Sequence, residues 1–147
     1  GCEHYETSAF ARPGHRSRHN LNYWQFGDYL GIGAGAHGKV SFPDRVTRHA
    51  RIKQPREYLA ASDTLAEQAE VPADELGFEF MLNALRLTEG FPLQLFQERT
   101  GLPITSVRPA LDEAEERGLI ERDWQRLRPT ARGRLFLNTL LELFLVR

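Results

Sequence analysis

The sequence predicts an α+β fold in which a strand-rich first region precedes a mostly helical second region. All five histidines and most of the glycines lie before residue 50, whereas the later part is rich in leucine, glutamate and arginine. The polar stretch ASDTLAEQAEVPA, residues 61–73, contains a proline and separates the two compositions. We therefore predict a first domain at residues 1–60, a linker at 61–73 and a second domain at 74–147.

The bulk composition indicates a folded protein in a reducing compartment. Of 147 residues, 41% are hydrophobic and 27% are charged, which is typical of globular proteins. The formal net charge of −1 gives no field that favours nucleic acid or an anionic membrane. The single cysteine, Cys2, excludes an intrachain disulfide, and no apolar run reaches transmembrane length, so we expect a cytoplasmic location. Because the only methionine is Met81, we expect the chain to be the last part of a longer protein.

Strand and turn signals dominate residues 1–60. HYETSAFA shows a two-residue alternation and predicts a strand, and the Pro-Gly pair in ARPGHRSRH predicts a loop. DYLGIGAGAHGKVSF is apolar and glycine-rich without a helical period, so it predicts a buried strand that leaves into a tight turn. Pro55 opens a short helix, PREYLAA, at a position where its missing N–H costs nothing.

Helical spacing dominates residues 74–147. Asp74 caps a first helix, and a second helix runs from Pro92 to Gly101. The first helix carries an apolar stripe that predicts its buried face, which comprises Leu76, Phe80, Ala84 and Leu87 with Met81 and Leu85 beside them.

Three further elements complete this region. Thr105 or Ser106 caps a third helix that ends at Gly118, and GLIERDWQRLRP then predicts a hairpin. Thr130 caps a last helix. Three helices, a hairpin and a helix follow one another in the order of a winged-helix domain.

The winged-helix order raises the question of DNA binding, which the charges disfavour. The third helix would enter the major groove in such a fold. Its solvent face is acidic, and carboxylates there repel phosphates; the residues are Asp112, Glu113, Glu115 and Glu116. We therefore predict no nucleic-acid partner and interpret the helix as a docking surface.

Two further patterns are weak signals. GAGAHG, residues 33–38, matches G-x-G-x-x-G, but the following Lys-Val-Ser-Phe-Pro cannot begin the helix that a dinucleotide site requires. His15 and His19 stand four residues apart, but no cysteine or carboxylate lies near them in the sequence, so no zinc site is predicted.

The motif HNLNYW, residues 19–24, supports two interpretations. A neutral imidazole is a good axial ligand for haem iron, and the tyrosine and tryptophan supply flat apolar surface. Arg12, Arg16 and Arg18 precede the motif, and a guanidinium group suits a propionate. Aromatic clusters more often belong to a hydrophobic core, so packing at the edge of a core is the alternative.

Two longer stretches resemble a known family. YETSAFARPGHRSRHNLNYWQFGDYLGIGAGAHG resembles the end of the radical-SAM barrel of HemW-type haem chaperones, relatives of oxygen-independent coproporphyrinogen III oxidase. EFMLNALRLTEGF, residues 79–91, resembles the start of their C-terminal domain, and HNLNYW is typical of the chaperone branch. The resemblance thus implies terminal barrel strands followed by a mostly helical, winged-helix-like domain.

The resemblance also implies a function and a set of sites. It implies a haem chaperone that binds haem and delivers it to respiratory proteins, in the cytoplasm and peripherally at the inner membrane. It places haem binding at four residues of the motif: His19, Asn20, Tyr23 and Trp24. It places S-adenosylmethionine near the last barrel strand: Gly33, Ala34, Gly35 and Ala36.

The same resemblance implies cofactors that this chain alone does not hold. The full-length relatives would carry a [4Fe–4S] cluster on a CxxxCxxC motif, which is absent here, so this chain is not expected to be an enzyme by itself. A part of a coproporphyrinogen III oxidase and a winged-helix interaction module remain as alternatives. Incomplete barrel strands expose edges, so we also expect that two copies can pair as a homodimer.

Overall fold

The protein is described from a computed structural model that covers residues 3–6, 9–11, 18–42 and 45–145. The chain divides into two compact units. The helical unit comprises Gly1–Gly27 and Asp74–Arg147, and the sheet unit comprises Asp28–Ala73. The mixed α and β content confirms the predicted class at this level.

The sheet unit is built on three antiparallel strands in the order β3-β4-β5: β3, His37–Ser41; β4, Val46–Arg51; and β5, Leu65–Glu70. Helix α2, Pro55–Ala60, lies between β4 and β5 in the chain, with Pro55 in its first turn as predicted. The predicted linker, residues 61–73, therefore contains a strand. Its side chains are mostly exposed, so no apolar alternation marks it, and backbone bonds to β4 stabilise it.

The predicted buried strand DYLGIGAGAHGKVSF is shorter in the structure. Tyr29 forms an isolated bridge with Lys39, and residues 31–36 bend before β3 begins. Gly33 and Gly35 have φ of 103° and 71°, which only glycine adopts without strain and which interrupts an extended strand. The tight turn was therefore predicted correctly, whereas the length and the burial of the strand were wrong, since Leu30 and Ile32 are 72% and 85% exposed.

The helical unit begins with a hairpin and a short helix. Strand β1, Glu3–Glu6, pairs in antiparallel fashion with β2, Ala9–Ala11, so HYETSAFA forms two strands and not one. The two-residue alternation of the sequence continues through both strands, and for that reason it did not reveal the reversal between them. Helix α1, Arg18–Trp24, follows.

The remaining elements of the helical unit follow the predicted order. Among the described residues no helix reaches the length and apolarity needed to cross a bilayer. Strands β6, β8 and β7 form a small antiparallel sheet in that spatial order. The elements are α3, Ala73–Ala84; β6, Phe91–Pro92; α4, Leu93–Thr100; a 3₁₀ turn, Ile104–Val107; α5, Arg108–Glu116; β7, Ile120–Arg122; β8, Arg126–Pro129; α6, Ala131–Leu135; and α7, Leu137–Glu142.

The helix ends show where local sequence rules apply. The Thr130 hydroxyl accepts a bond from the Gly133 N–H at 3.0 Å, which confirms the predicted cap. The predicted cap at Thr105 or Ser106 is wrong, because a 3₁₀ turn precedes α5 and the Ser106 hydroxyl donates to the Pro103 carbonyl instead. The predicted last helix is two helices, because Phe136 leaves the helical conformation between α6 and α7.

The core of the helical unit centres on Phe80 of α3. All six residues of the predicted stripe are buried, but only Leu76, Phe80, Met81 and Ala84 lie on α3, since Leu85 and Leu87 follow its end. The Phe80 ring meets three other phenylalanine rings edge to face, with centroid distances of 5.9 Å to Phe26, 4.9 Å to Phe91 and 5.2 Å to Phe96. Each such pair stabilises by about 0.5–1.5 kcal/mol beyond burial. The aromatic cluster thus joins α3, β6 and α4 to the turn that follows α1.

Gly133 of α6 provides a test of the close packing between α6 and the loop before β7. A Cβ atom at Gly133 would lie 1.8 Å from the Leu119 carbonyl oxygen. We expect Gly133→Ala to lower the free energy of unfolding by about 3 kcal/mol, because the backbone must shift. Gly118→Ala is the control, because a Cβ atom at Gly118 would have no neighbouring atom within 4 Å. Its only cost is the backbone strain at φ 72°, which should lower the free energy of unfolding by about 1–2 kcal/mol. Urea denaturation measures the free energy of unfolding of both variants. Equal losses of this free energy would contradict the close approach of Gly133 to the Leu119 carbonyl.

Candidate functional site

The motif HNLNYW lies on helix α1, which contains all six of its residues. The backbone places positions 19 and 23 one turn apart, and positions 20 and 24 likewise, so the four predicted haem-binding positions occupy one side of the helix. The side chains of His19, Asn20 and Tyr23 lie outside the described residues, as do Arg12 and Arg16. Arg18 is exposed and Trp24 is half-buried.

The end of α1 is held in an unusual backbone conformation. Phe26 has φ of 59°, which costs a residue other than glycine about 1–2 kcal/mol. The Gly27 N–H donates to the Asn22 carbonyl at 2.8 Å and closes the last turn. Phe26 is fully buried against Phe80, and this burial offsets the strain. Helix α1 is therefore anchored to the hydrophobic core of the helical unit.

Gly27 permits this helix end. A Cβ atom there would lie 1.9 Å from the Asn22 side-chain oxygen, so the Asn22 amide occupies the space beside the glycine. The second asparagine of the motif therefore packs against the turn that ends the helix. This contact gives Asn22 a structural role.

The Trp24 ring is covered on one face by a cation. The Arg86 guanidinium carbon lies 4.8 Å from the centroid of the Trp24 ring, within the range of a cation–π interaction. The Arg86 Nε donates to the Glu6 carboxylate at 2.7 Å, and the Glu6 side chain is 2% exposed. The buried Glu6 carboxylate thus contacts the Arg86 guanidinium, which in turn lies over the Trp24 indole.

Strand β1 holds the carboxylate end of this arrangement. Glu6 forms an antiparallel bridge with Leu87, and the Thr88 N–H donates to the Tyr5 carbonyl at 3.1 Å. The Thr88 hydroxyl also donates to the His4 carbonyl. The segment that follows α3 is therefore attached to β1 directly beside Arg86.

The second predicted site, residues 33–36, lies in the sheet unit and forms a turn. The Gly33 N–H donates to the Tyr58 hydroxyl at 2.9 Å, and the Gly35 N–H donates to the Ile52 carbonyl at 2.8 Å. The Ala36 N–H donates to Gly33 within the turn at 3.2 Å. These three donors are satisfied within the protein, so contact with S-adenosylmethionine through them would require them to be released. Binding at Gly33, Ala34, Gly35 and Ala36 stays a prediction.

The chain does not supply the ligands of an iron–sulfur cluster. Three thiolates are needed, and the chain has one cysteine, Cys2, which lies outside the described residues. Within the described ranges no three His, Cys, Asp or Glu side chains lie together in a metal-binding arrangement. No cluster chemistry is therefore assigned to residues of this chain.

The acidic face of α5 pairs with arginines of the hairpin. Arg122 contacts both Asp112 and Glu115, and its Nε lies 2.9 Å from the Glu115 carboxylate. Arg128 pairs with Glu121 within the hairpin at 2.5 Å. Both guanidinium groups thus form ion pairs with carboxylates of the protein. The pairing supports the predicted absence of a nucleic-acid partner, which stays a prediction.

Sequence reasoning missed Glu6 and Arg86. The two residues are eighty positions apart, and neither was predicted as a site residue, although each lies in a stretch that resembles the family. A glutamate in a short strand normally predicts solvent exposure. Only the pairing of β1 with the segment after α3 brings the carboxylate and the guanidinium together.

Phe26→Ala tests the anchoring of α1. We expect it to lower the free energy of unfolding by about 3–4 kcal/mol, because it opens a cavity beside Phe80 and leaves the backbone strain uncompensated. Phe136→Ala is the matched control, since Phe136 is 48% exposed and lies in the same unit, and we expect it to cost about 1 kcal/mol or less. Urea denaturation followed by circular dichroism measures both. Similar losses would show that Phe26 does not anchor the helix.

Comparison with known proteins gives consistent matches along the chain. Residues 71–136 match the family model described as the HemN C-terminal domain. The chain is 48% identical over 146 residues to the heme chaperone HemW of Escherichia coli K12, covering 99% of this chain and 38% of that protein. It is 33% identical over 153 residues to the heme chaperone HemW of Bacillus subtilis 168, a match that covers 99% of this chain and 38% of that protein.

A solved structure has a similar fold. Coproporphyrinogen III oxidase (HemN) of Escherichia coli, described as a radical SAM enzyme, superimposes with a TM-score of 0.62 at 15% identity, over 98% of this chain and 37% of that chain. At this identity the likeness concerns the fold alone. The chain spans about two fifths of the length of the curated relatives that it matches. Residues 71–136 therefore belong to the HemN C-terminal domain family, and the whole chain is similar to a part of relatives named heme chaperone HemW.

Proposed function

We propose that this chain is the haem-binding part of a haem chaperone, which binds haem and delivers it to acceptor proteins. The observation that carries the proposal is that His19, Asn20, Tyr23 and Trp24 occupy positions on one side of a helix anchored in the core. A rigidly held helix suits a binding site because its side chains lose less freedom when the ligand arrives. The relatives named heme chaperone HemW support the same function.

Four residues of the motif have a role in the proposal. His19 would hold the haem iron through its imidazole, and Tyr23 and Trp24 would supply aromatic surface for the porphyrin. Asn20 supplies a polar side chain on the same side of the helix. Arg18, which is exposed, contributes a guanidinium for a propionate.

The complete protein is proposed to hold two further cofactors. A [4Fe–4S] cluster would be bound by cysteines outside this chain, and S-adenosylmethionine would lie near residues 33–36. When bound, they supply radical chemistry, which is not assigned to residues of this chain. The haem acceptors are proposed to be respiratory proteins, so the protein would act in the cytoplasm, close to the inner membrane. The likeness to HemN concerns the fold alone, and similarity in fold does not favour oxidase activity.

The proposed domain structure is the end of a radical-SAM barrel followed by a winged-helix-like domain at residues 74–147. The order α3, α4, α5, hairpin and the sheet order β6-β8-β7 support the winged-helix assignment. Residues 1–60 are proposed as the end of the barrel, and residues 61–73, which contain β5, as the connection to the second domain. Within this scheme α1 packs on the core of the helical unit, which is where Phe26 meets Phe80.

Pairing of two copies through open strand edges is a separate proposal. Strand β5 is an outer strand of the described three-stranded sheet, and outer strands present unpaired backbone groups. Its exposed carboxylates, Glu67 and Glu70, oppose pairing of like strands, so the homodimer should weaken at low salt. Sedimentation at two salt concentrations measures this, and a monomer in both excludes the pairing.

Haem titration of the intact protein and of His19→Ala tests the function. We expect the wild type to show a Soret band of ligated haem, and His19→Ala to bind at least about tenfold more weakly, because the iron loses its axial ligand. The control is His37→Ala, which removes an exposed imidazole on β3 in the sheet unit. An unchanged affinity and spectrum in His19→Ala would remove this residue from the role, and a wild type without affinity for haem would overturn the proposed function.

A further inference from the structure

Arg86 joins a buried carboxylate to the aromatic ring of the proposed site. Its Nε donates to Glu6 at 2.7 Å, and its guanidinium carbon lies 4.8 Å from the centroid of the Trp24 ring. The Arg86 side chain is 31% exposed, whereas the Glu6 side chain is 2% exposed. The Arg86 guanidinium thus binds a buried carboxylate and also contacts the Trp24 indole.

The buried carboxylate makes this position of Arg86 obligatory. A charged carboxylate removed from water is strongly unfavourable unless an opposite charge and hydrogen bonds compensate it. The backbone bridge between Glu6 and Leu87 fixes the carboxylate beside Arg86. A bond to Nε also limits rotation of the planar guanidinium, so Glu6 restrains the group that lies over Trp24.

We infer that Arg86 is a positioning residue for Trp24 in haem binding, held in place by the buried carboxylate of Glu6. The inference rests on the proposed function. The cation covers one face of the indole, so that face is closed to a planar ligand while Arg86 stays in place. Arg86 therefore fixes how the indole is presented, and a porphyrin meets a ring that is already oriented.

The first measurement reports on Trp24 without haem. The chain has two tryptophans, so Trp124→Phe leaves Trp24 as the single fluorophore, and Trp124 is 84% exposed in the hairpin turn. In this background we expect Arg86→Met combined with Glu6→Gln to shift the emission of Trp24 and increase its quenching by iodide. The double change avoids an unpaired buried charge, so the protein keeps its fold. Arg86→Lys retains a cation and should restore part of the wild-type emission.

The second measurement is haem titration of the same variants. We expect the double variant to bind haem about fivefold more weakly than the Trp124→Phe parent, and Arg86→Lys to lie between them. Arg128→Met is the matched control, since it breaks the exposed pair with Glu121 and should change neither Trp24 emission nor haem affinity.

The outcomes separate this inference from the proposed function. A parent that does not bind haem overturns the proposed function, and unchanged Trp24 emission then overturns the positioning as well. A parent that binds haem, together with a double variant of equal affinity, overturns the inference and leaves the proposed function standing. Changed emission with weakened binding, partly restored by lysine, supports it.

Discussion

The burial of three phenylalanine rings around Phe80 is the constraint on which the rest of the helical unit depends. These rings come from the turn after α1, from β6 and from α4, and Phe26 is distant from the other phenylalanines in sequence. Their packing compensates the positive φ of Phe26, so the turn that ends α1 persists. Because that turn is part of the core, the HNLNYW helix has a defined orientation within the helical unit. A site that consists of one short helix needs such an anchor, since a seven-residue helix is marginal by itself.

A buried ion pair adds specificity to this hydrophobic anchor. Glu6 is compensated by Arg86, and Arg86 contacts Trp24, so the polar contact and the aromatic core orient the same helix from two directions. Ion pairs of this kind contribute little net stability, because desolvation offsets the attraction. Their effect is to select one arrangement of the side chains. The pair thus orients the indole, whereas the aromatic core supplies the stability.

Local rules account for the parts of the fold that were predicted well. The buried stripe of α3, the left-handed glycine at position 101, the Thr130 cap and the hairpin before it each depend on neighbouring residues alone. Predictions failed where distant backbone decided the outcome. Strand β5 has exposed side chains and no apolar pattern, and only its bonds to β4 make it a strand. HYETSAFA likewise reverses direction without a change in its alternation.

The motif, the family resemblance, the single cysteine and the amphipathic helices can be recognised from the amino-acid sequence alone, because they depend only on residue types and short spacings. The tertiary structure decided that HNLNYW is helical, that Phe26 joins the Phe80 cluster, and that Arg86 lies between Glu6 and Trp24. The physical reason is that these contacts pair residues up to eighty positions apart. Side chains so distant meet only after hydrophobic burial and backbone pairing have folded the chain around them.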